Sequence, residues 1–335
     1  MSLDTNVKKN IIIPIIALFI ALLSDNVLYA LDWSTNPSIR GSINIEGVAA
    51  LRLEGVVVAV IDTGIDPNHT DLKNKIVTYK NGSFKKATSN DFGRDFSPGS
   101  LTFKRPYDEN GHGTHIASII TRIAPNSKIL PIKYYNDRAT EKENLNATIE
   151  AIKFAINAGV KIINYSSGGS GKSELENRVI ELANKKGVLL VAAAGNFGEN
   201  IDHRKLMYYP ASYKHENIIS VINHGPNYTL HKTSNYGKNN ADLSAPGTNI
   251  LGAIPNSRRG NLTGTSQSTA FVTATASIML GMNSSIGHLT IKNIILKSTD
   301  KVRKLSDKCK TSGALNMENA IIFVKKSMRN YASGY

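Results

Sequence analysis

Short apolar runs alternate along the chain with segments of amphipathic or helix-compatible pattern. Four mainly apolar runs predict buried strands: Val56–Ile61, which is almost wholly β-branched, and Lys161–Ser166, Val188–Ala194 and Ile218–Ile222. Three segments between or beside them predict helices: Gly113–Arg122, Asn144–Ala158 and Glu174–Lys186. Strands without a polar face are typical of parallel sheets covered on both sides. The pattern therefore predicts an α/β fold with a doubly wound, mostly parallel sheet and helices on both faces.

Polar residues cluster where these strands end and where the helices begin, which is where doubly wound sheets carry their active sites. The segment from Asp71 to Pro106 is polar, rich in lysine and without clear periodicity, so we expect a long surface excursion there. A chain of 335 residues needs no more than one such core. We therefore predict a single domain spanning residues 31–335.

The N-terminal pattern differs from the rest. Lys8 and Lys9 precede an apolar run, Ile11–Leu23, which is shorter than the roughly 20 residues that a membrane-spanning helix needs. This arrangement predicts a signal peptide over residues 1–30 with cleavage after Ala30, and hence an exported protein, secreted or periplasmic. Leu28 is larger than the residue usual at that distance from a cleavage site. An uncleaved segment that anchors the protein to a membrane therefore stays open.

Charge and cysteine content change this picture little. Lys and Arg outnumber Asp and Glu by 40 to 26, for a formal charge of +14. The basic residues are scattered and form neither a basic helix nor a zinc-finger pattern, so we expect no nucleic-acid partner. Cys309 is the chain's one cysteine, which excludes an intrachain disulfide.

Three residues have the side chains that amide hydrolysis requires. Asp62 follows the first predicted strand, and His112 and Ser266 each precede a helix-compatible segment. Taken singly, each has an ordinary structural explanation as a turn former, a helix residue or an N-cap. Taken together, they supply a nucleophile, a base and an anion to orient that base. The order Asp, His, Ser along the chain is one of three known orders for such a triad.

The segments around these residues resemble those of subtilisin-like serine peptidases (subtilases, peptidase family S8). The similarity includes an aspartate, a histidine, a serine, a substrate-binding and an oxyanion motif, which are AVIDTGID (Ala59–Asp66), NGHGTHIAS (Asn110–Ser118), GTSQSTAFV (Gly264–Val272), INYSSGG (Ile163–Gly169) and VAAAGN (Val191–Asn196). The resemblance extends from about Trp33 to about Ala320. It implies a three-layer fold and a serine endopeptidase that acts on polypeptides.

The resemblance also assigns roles. Ser266 would attack the scissile carbonyl, His112 would act as base and then acid, and Asp62 would orient the imidazole. Asn196 would donate its side-chain amide to the oxyanion. The substrate would pair with a segment of four residues, Ser166, Ser167, Gly168 and Gly169. Phe197 stands near the primary specificity pocket and suggests a preference for apolar or aromatic residues before the cut bond, although Glu199 leaves a basic preference open.

Several positions depart from the family pattern. In the serine motif, Gln267, Ser268 and Ala270 stand where Met, Ala and Pro are usual. Catalysis needs no cofactor. Asp71 matches an aspartate that binds a structural calcium ion in relatives, but the histidine helix has no inserted loop to supply further oxygen ligands, which makes calcium doubtful. The family's pro-domain has no counterpart between Ala30 and Asp62. A separate protein that inhibits the enzyme or assists its folding is therefore a further hypothesis, and we expect the enzyme itself to be a monomer.

Other functions remain compatible with the motifs. An inactive relative could bind peptides in the same groove. A transpeptidase or peptide cyclase could transfer the same acyl group to an amine, and the sequence does not distinguish this from hydrolysis. A metal-dependent peptidase is disfavoured because the HExxH spacing is missing around His112 and His115.

Overall fold

The computed structural model describes residues 32–332, so the predicted signal peptide lies outside the described residues. The described chain contains six α-helices: α1 (His112–Ile123), α2 (Glu141–Ala158), α3 (Glu174–Lys185), α4 (Thr265–Met282), α5 (His288–Lys297) and α6 (Met317–Ala332). Its strands are β1 (Val56–Asp62), β2 (Val77–Lys80), β3 (Ser83–Lys86), β4 (Arg94–Asp95), β5 (Ser127–Lys133), β6 (Ile162–Tyr165), β7 (Leu189–Ala193), β8 (Ile218–Gly225), β9 (Thr229–Leu230), β10 (Leu243–Pro246), β11 (Ile250–Ile254), β12 (Arg258–Leu262), β13 (Asp300–Lys301) and β14 (Gly313–Ala314).

One large sheet organises the molecule, with strand order β13-β14-β10-β8-β7-β6-β1-β5-β4. Neighbouring strands from β14 to β4 run parallel, while β13 and the short β9 pair antiparallel at β14 and β8. The chain moves outward from β1 in both directions, so the sheet is doubly wound. The predicted fold class is confirmed.

Alternate residues of the central strands pack on opposite layers of helices. On β1, Val58 and Val60 join a core with α1, α4, α5 and α6. Ala59 and Ile61 point to the other face and join a core with α2 and α3. The period of two in a strand explains this division, since successive side chains leave a strand on opposite sides. The result is three layers, with the carboxyl ends of the parallel strands along one edge.

Helix α4 is the most deeply buried helix of the molecule. Every residue from Thr265 to Gly281 is buried. Its small, weakly polar side chains suit this position because a helix surrounded by protein shows no apolar stripe.

Within residues 32–332, no helix is long and apolar enough to cross a membrane.

The structure adds elements that the apolar pattern did not predict. Strand β5 contains Pro131, which argues against a central strand, but β5 is nearly an edge strand because its outer neighbour β4 has only two residues. Strand β10 is four residues long and ends in Pro246. The expected surface excursion from Asp71 to Pro106 contains regular secondary structure, namely the β2–β3 hairpin and β4.

Candidate active site

The aspartate and the histidine of the sequence motifs are in direct contact. Asp62 is the last residue of β1 and His112 is the first of α1, and 2.7 Å separates Asp62 Oδ1 from His112 Nδ1. Because a carboxylate accepts hydrogen bonds, Nδ1 carries the proton of this bond. In a neutral imidazole Nε2 is then the nitrogen with a free lone pair, as a base requires.

The environment of His112 favours its protonated form. Burial alone would lower the pKa of His112, but the charge and hydrogen bond of Asp62, with a further contribution from Asp108, raise it above its usual value. Asp62 is 3% exposed and the His112 side chain 28%, so the acid is sheltered while the base is open to a ligand. The pair therefore has the geometry and charge of a base that can stabilise a proton taken from a nucleophile.

A second buried carboxylate, which sequence reasoning missed, fixes the start of α1. Asp108 Oδ1 accepts hydrogen bonds from Thr63 Oγ1 and the backbone N–H groups of Asn110 and Gly111. Its Oδ2 accepts from both the N–H and the hydroxyl of Thr114. The N-cap residue Gly111 has no side chain, so Asp108 satisfies helix N–H groups from outside the helix and places its negative charge where the helix dipole favours it.

The turn after β1 lies unusually close to α1. Thr63 Oγ1 accepts a hydrogen bond from the N–H of Gly113 at 2.9 Å. A Cβ atom added to Gly113 would collide with the carbonyl oxygen of Gly64 and lie 3.2 Å from the Asp62 Cβ. Gly113 is therefore required for the close approach that brings His112 to Asp62.

Ser266 is the second residue of α4, which packs against α1 on the same face of the sheet. Its hydroxyl donates a hydrogen bond to the carbonyl oxygen of Ser166 at 2.9 Å and not to His112. The Ser166 hydroxyl donates in turn to the carbonyl of Ser266 at 3.2 Å. Hydrogen bonds among catalytic groups are often loose without substrate, and a rotation about χ1 can redirect a serine hydroxyl.

Asn196 faces the backbone just before Ser266. Its Oδ1 accepts hydrogen bonds from the Thr265 N–H at 2.9 Å and the Thr265 hydroxyl at 3.2 Å. Because the N–H of Thr265 can only donate, the oxygen of the Asn196 amide must lie on this side and Nδ2 on the other. Asn196 is exposed, so its amide N–H groups are accessible to a ligand bound at Ser266. Thr265 also accepts from the N–H of Gly195 and thereby joins α4 to the end of β7.

The predicted substrate segment is only partly free. Gly169 donates its N–H to the Tyr209 carbonyl at 2.9 Å and accepts from the Tyr209 N–H at 2.7 Å. Both of its backbone groups thus take part in the fold, so the segment left to pair with a substrate is Ser166–Gly168. Ser166 is buried beside Ser266, while Ser167 and Gly168 are half-buried. Phe197 is 73% exposed and its ring centroid lies 6.1 Å from that of Tyr208.

The second histidine of the motif has a structural position. His115 is fully buried, and its Nε2 donates to the carbonyls of Ile250 and Gly260, each at 3.1 Å. Burial lowers its pKa to about 4, so it is neutral at physiological pH. His115 therefore ties α1 to the β11–β12 hairpin, which is a structural role.

Asp71 does not have the environment of a calcium ligand. The Arg259 guanidinium binds both of its carboxylate oxygens, with 2.9 Å between Arg259 Nε and Asp71 Oδ2. A cation placed beside this carboxylate would also face the guanidinium charge, so the residues present do not fit Ca²⁺. Among the described side chains, no group of three or more His, Cys, Asp or Glu residues is placed to hold a metal ion.

A doubly wound sheet whose carboxyl-terminal edge brings together an Asp–His pair and a helix-borne serine defines the α/β class of serine peptidases. The model of the subtilase family (Peptidase_S8) matches residues 54–319, and the chain therefore belongs to this family. It is 33% identical over 235 residues to the major intracellular serine protease of Bacillus subtilis (strain 168), covering 68% of each chain. It is 31% identical over 259 residues to thermitase of Thermoactinomyces vulgaris, covering 74% of this chain and 82% of thermitase.

Solved structures agree with this assignment. A chain from a study of subtilase cytotoxin SubAB assembly superposes with a TM-score of 0.73 at 25% identity, covering 90% of this chain and all of that one (100%). The prenylagaramide maturation protease PagA superposes with a TM-score of 0.65 at 26% identity, covering 84% of this chain and 98% of that one. The protein is therefore a serine-type endopeptidase, a hydrolase with the three-layer subtilase fold.

Proposed function

We propose that the protein cleaves peptide bonds through an acyl-enzyme formed on Ser266. The observation that carries the proposal is the 2.7 Å contact between His112 Nδ1 and Asp62 Oδ1, which leaves Nε2 as the base. His112 Nε2 takes the proton of the Ser266 hydroxyl while its oxygen attacks the scissile carbonyl. The tetrahedral intermediate collapses when His112 returns that proton to the leaving amine, and a water molecule then releases the acyl group by the same steps.

The developing oxyanion is stabilised by two donors, the Asn196 side-chain amide and the Ser266 backbone N–H. The orientation of Asn196 supports this role because its Oδ1 is held by Thr265 at 2.9 Å, which directs Nδ2 away from that bond. The Ser266 N–H lies in the first turn of α4, where backbone N–H groups lack a partner within the helix. The substrate backbone pairs with Ser166–Gly168 and displaces the hydroxyl of Ser266 from the Ser166 carbonyl.

The nucleophile is tested by labelling the full chain with a fluorophosphonate probe, with Ser266→Ala as the matched control. Labelling of the wild type alone supports an activated serine at position 266. A folded wild type that stays unlabelled contradicts the proposal and favours a peptide-binding relative. Product masses measured with and without an added amine then separate hydrolysis from transpeptidation.

We also propose that the protein is exported. The support is the apolar run Ile11–Leu23 behind Lys8 and Lys9, which has the length and flanking charge of a signal peptide. The N-terminal sequence of the protein recovered from cells tests this. A mature chain that begins at Leu31 supports cleavage, whereas an intact N-terminus in the membrane fraction supports an anchor and one in the cytosol contradicts export.

A further inference from the structure

The proposed mechanism defines where the side chain before the cut bond must lie, and the inference below rests on that mechanism. The substrate's carbonyl carbon meets Ser266, its oxygen faces Asn196, and its backbone runs along Ser166–Gly168. These constraints direct the side chain of that residue into the gap between the segment after β6 and the segment after β7, Ala194–Asn196. The contents of this gap therefore decide which residue can precede the cut bond.

The ring of Tyr208 occupies the gap. A Cβ atom added to Gly168 would lie 2.6 Å from Tyr208 Cε1 and 3.1 Å from its Cζ. A Cβ atom added to Gly195 would lie 3.1 Å from both Tyr208 Cδ1 and Cγ. The ring thus spans from one glycine to the other, with its base at Gly195 and its hydroxyl end at Gly168. Both glycines lack the side chain that would collide with it.

The surrounding residues hold Tyr208 in this place. Its N–H donates to Ser212 Oγ at 3.1 Å, and its carbonyl accepts from the Ser212 N–H at 2.8 Å. The next residue, Tyr209, is bonded through both backbone groups to Gly169. The exposed Phe197 ring packs near the Tyr208 ring. The backbone on either side of Tyr208 is therefore held in place, which fixes the point from which its ring enters the gap.

The hydroxyl end of Tyr208 does not introduce a charge. Burial, together with the charge of Glu176 nearby, raises the pKa of Tyr208 to about 12. Burial also raises the pKa of Glu176 itself to about 7, although a hydrogen bond with Tyr213 acts to lower it. A neutral aromatic ring therefore closes the gap.

We propose that Tyr208 is a specificity-determining residue that fills the primary specificity pocket and restricts cleavage to bonds after small residues, namely glycine, alanine and serine. Side chains as large as phenylalanine or leucine would have to displace the ring. This differs from the preference for apolar or aromatic residues predicted from Phe197. Phe197 lies at the rim of the gap, whereas Tyr208 limits its depth.

The test compares kcat/KM for two fluorogenic peptides that differ only in alanine or phenylalanine before the cut bond. We expect the wild type to prefer alanine by about 10–100-fold. Tyr208→Gly should raise kcat/KM for the phenylalanine peptide by at least about 10-fold. It should change kcat/KM for the alanine peptide much less. Tyr208→Phe keeps the ring and should keep the wild-type preference.

Two results would overturn the proposal. One is a wild type that cleaves the phenylalanine peptide as well as the alanine peptide, which decides the matter even where Tyr208→Gly does not fold. The other is a Tyr208→Gly enzyme that reacts with fluorophosphonate but retains the wild-type ratio. Loss of labelling in the wild type is a separate outcome, since it contradicts the catalytic role of Ser266 and not the filling of the gap.

Discussion

The two halves of the candidate active site are built differently. On one side, Asp62 and His112 are joined by a short hydrogen bond, and the buried Asp108 ties together the turn after β1 and the start of α1. On the other side, the Ser266 hydroxyl is bonded to the Ser166 carbonyl, and Asn196 is exposed. In the proposed mechanism, the acid and base are thus organised before substrate arrives, whereas the nucleophile is still bound to the segment that the substrate would use.

This difference suggests a division of labour. A base needs a fixed tautomer and a charge that supports its protonated form, and both are supplied by buried groups that substrate does not touch. The proposed nucleophile and oxyanion donors would act on the substrate directly, so they must stay accessible. We expect substitutions on the acid–base side to change the pH dependence, and substitutions on the other side to change kcat with little effect on pH dependence.

The largest effect should come from Asp62→Asn. An amide at this position can accept a bond from one imidazole tautomer or donate to the other, so the proton of His112 is no longer confined to Nδ1. We expect kcat to fall about 10⁴-fold. Because the charge of Asp62 raises the pKa of His112, the acid limb of the kcat/KM profile, which rises as His112 loses its proton, should move to lower pH.

Initial rates measured between about pH 5 and 9 test this prediction, because a histidine titrates within this range. Circular dichroism controls for the fold. An Asp62→Asn enzyme whose acid limb keeps its position would contradict the assignment of His112 as the base.

Asn196→Ala should have the next largest effect. It removes one oxyanion donor and leaves Asp62 and His112 intact, so kcat should fall about 10²–10³-fold with little change in KM, a magnitude carried over from a related subtilase. The acid limb of the pH profile should not move. Steady-state kinetics with one peptide measure both quantities, and a rise in KM at unchanged kcat would instead indicate a role in ground-state binding.

The residues that the sequence predicted are those with a recognisable local motif. Asp62 ends a strand and His112 begins a helix. The chemistry of each proposed role requires one particular residue type. Gly169 was predicted to pair with substrate because it continues a motif, but its partner Tyr209 lies 40 positions along the chain (209 − 169) and the pairing is visible only in the fold.

Tyr208 and Asp108 were not predictable in the same way. The position of Tyr208 between Gly168 and Gly195 depends on how a loop returns to the ends of β6 and β7. Asp108 is one of several polar residues before α1. Four of its five acceptor contacts come from Asn110, Gly111 and Thr114, close by in the chain, and the fifth comes from Thr63 in the turn after β1. Contacts between residues distant in sequence define the role of Tyr208 and join Asp108 to the turn after β1, and neither residue type is required by the chemistry.

The smallest effect should come from Asp108→Asn, which removes none of the proposed reacting groups. Both oxygens of Asp108 accept hydrogen bonds, so an amide NH₂ group in place of one oxygen faces donors that it cannot satisfy. We expect the first turn of α1 to loosen and kcat/KM to fall about 10-fold, as for a small displacement of a catalytic group. Loss of the negative charge should also move the acid limb to lower pH, because Asp108 raises the pKa of His112.

A matched control separates positioning from stability. Asp242, just before β10, accepts the Ser220 N–H and lies beside Lys292 at the opposite end of the strands. Asp242→Asn should therefore lower the melting temperature without moving the acid limb. If Asp108→Asn behaves in the same way, Asp108 only stabilises the fold. If it also shifts the limb, the negative charge of Asp108 raises the pKa of His112 in addition to stabilising the fold.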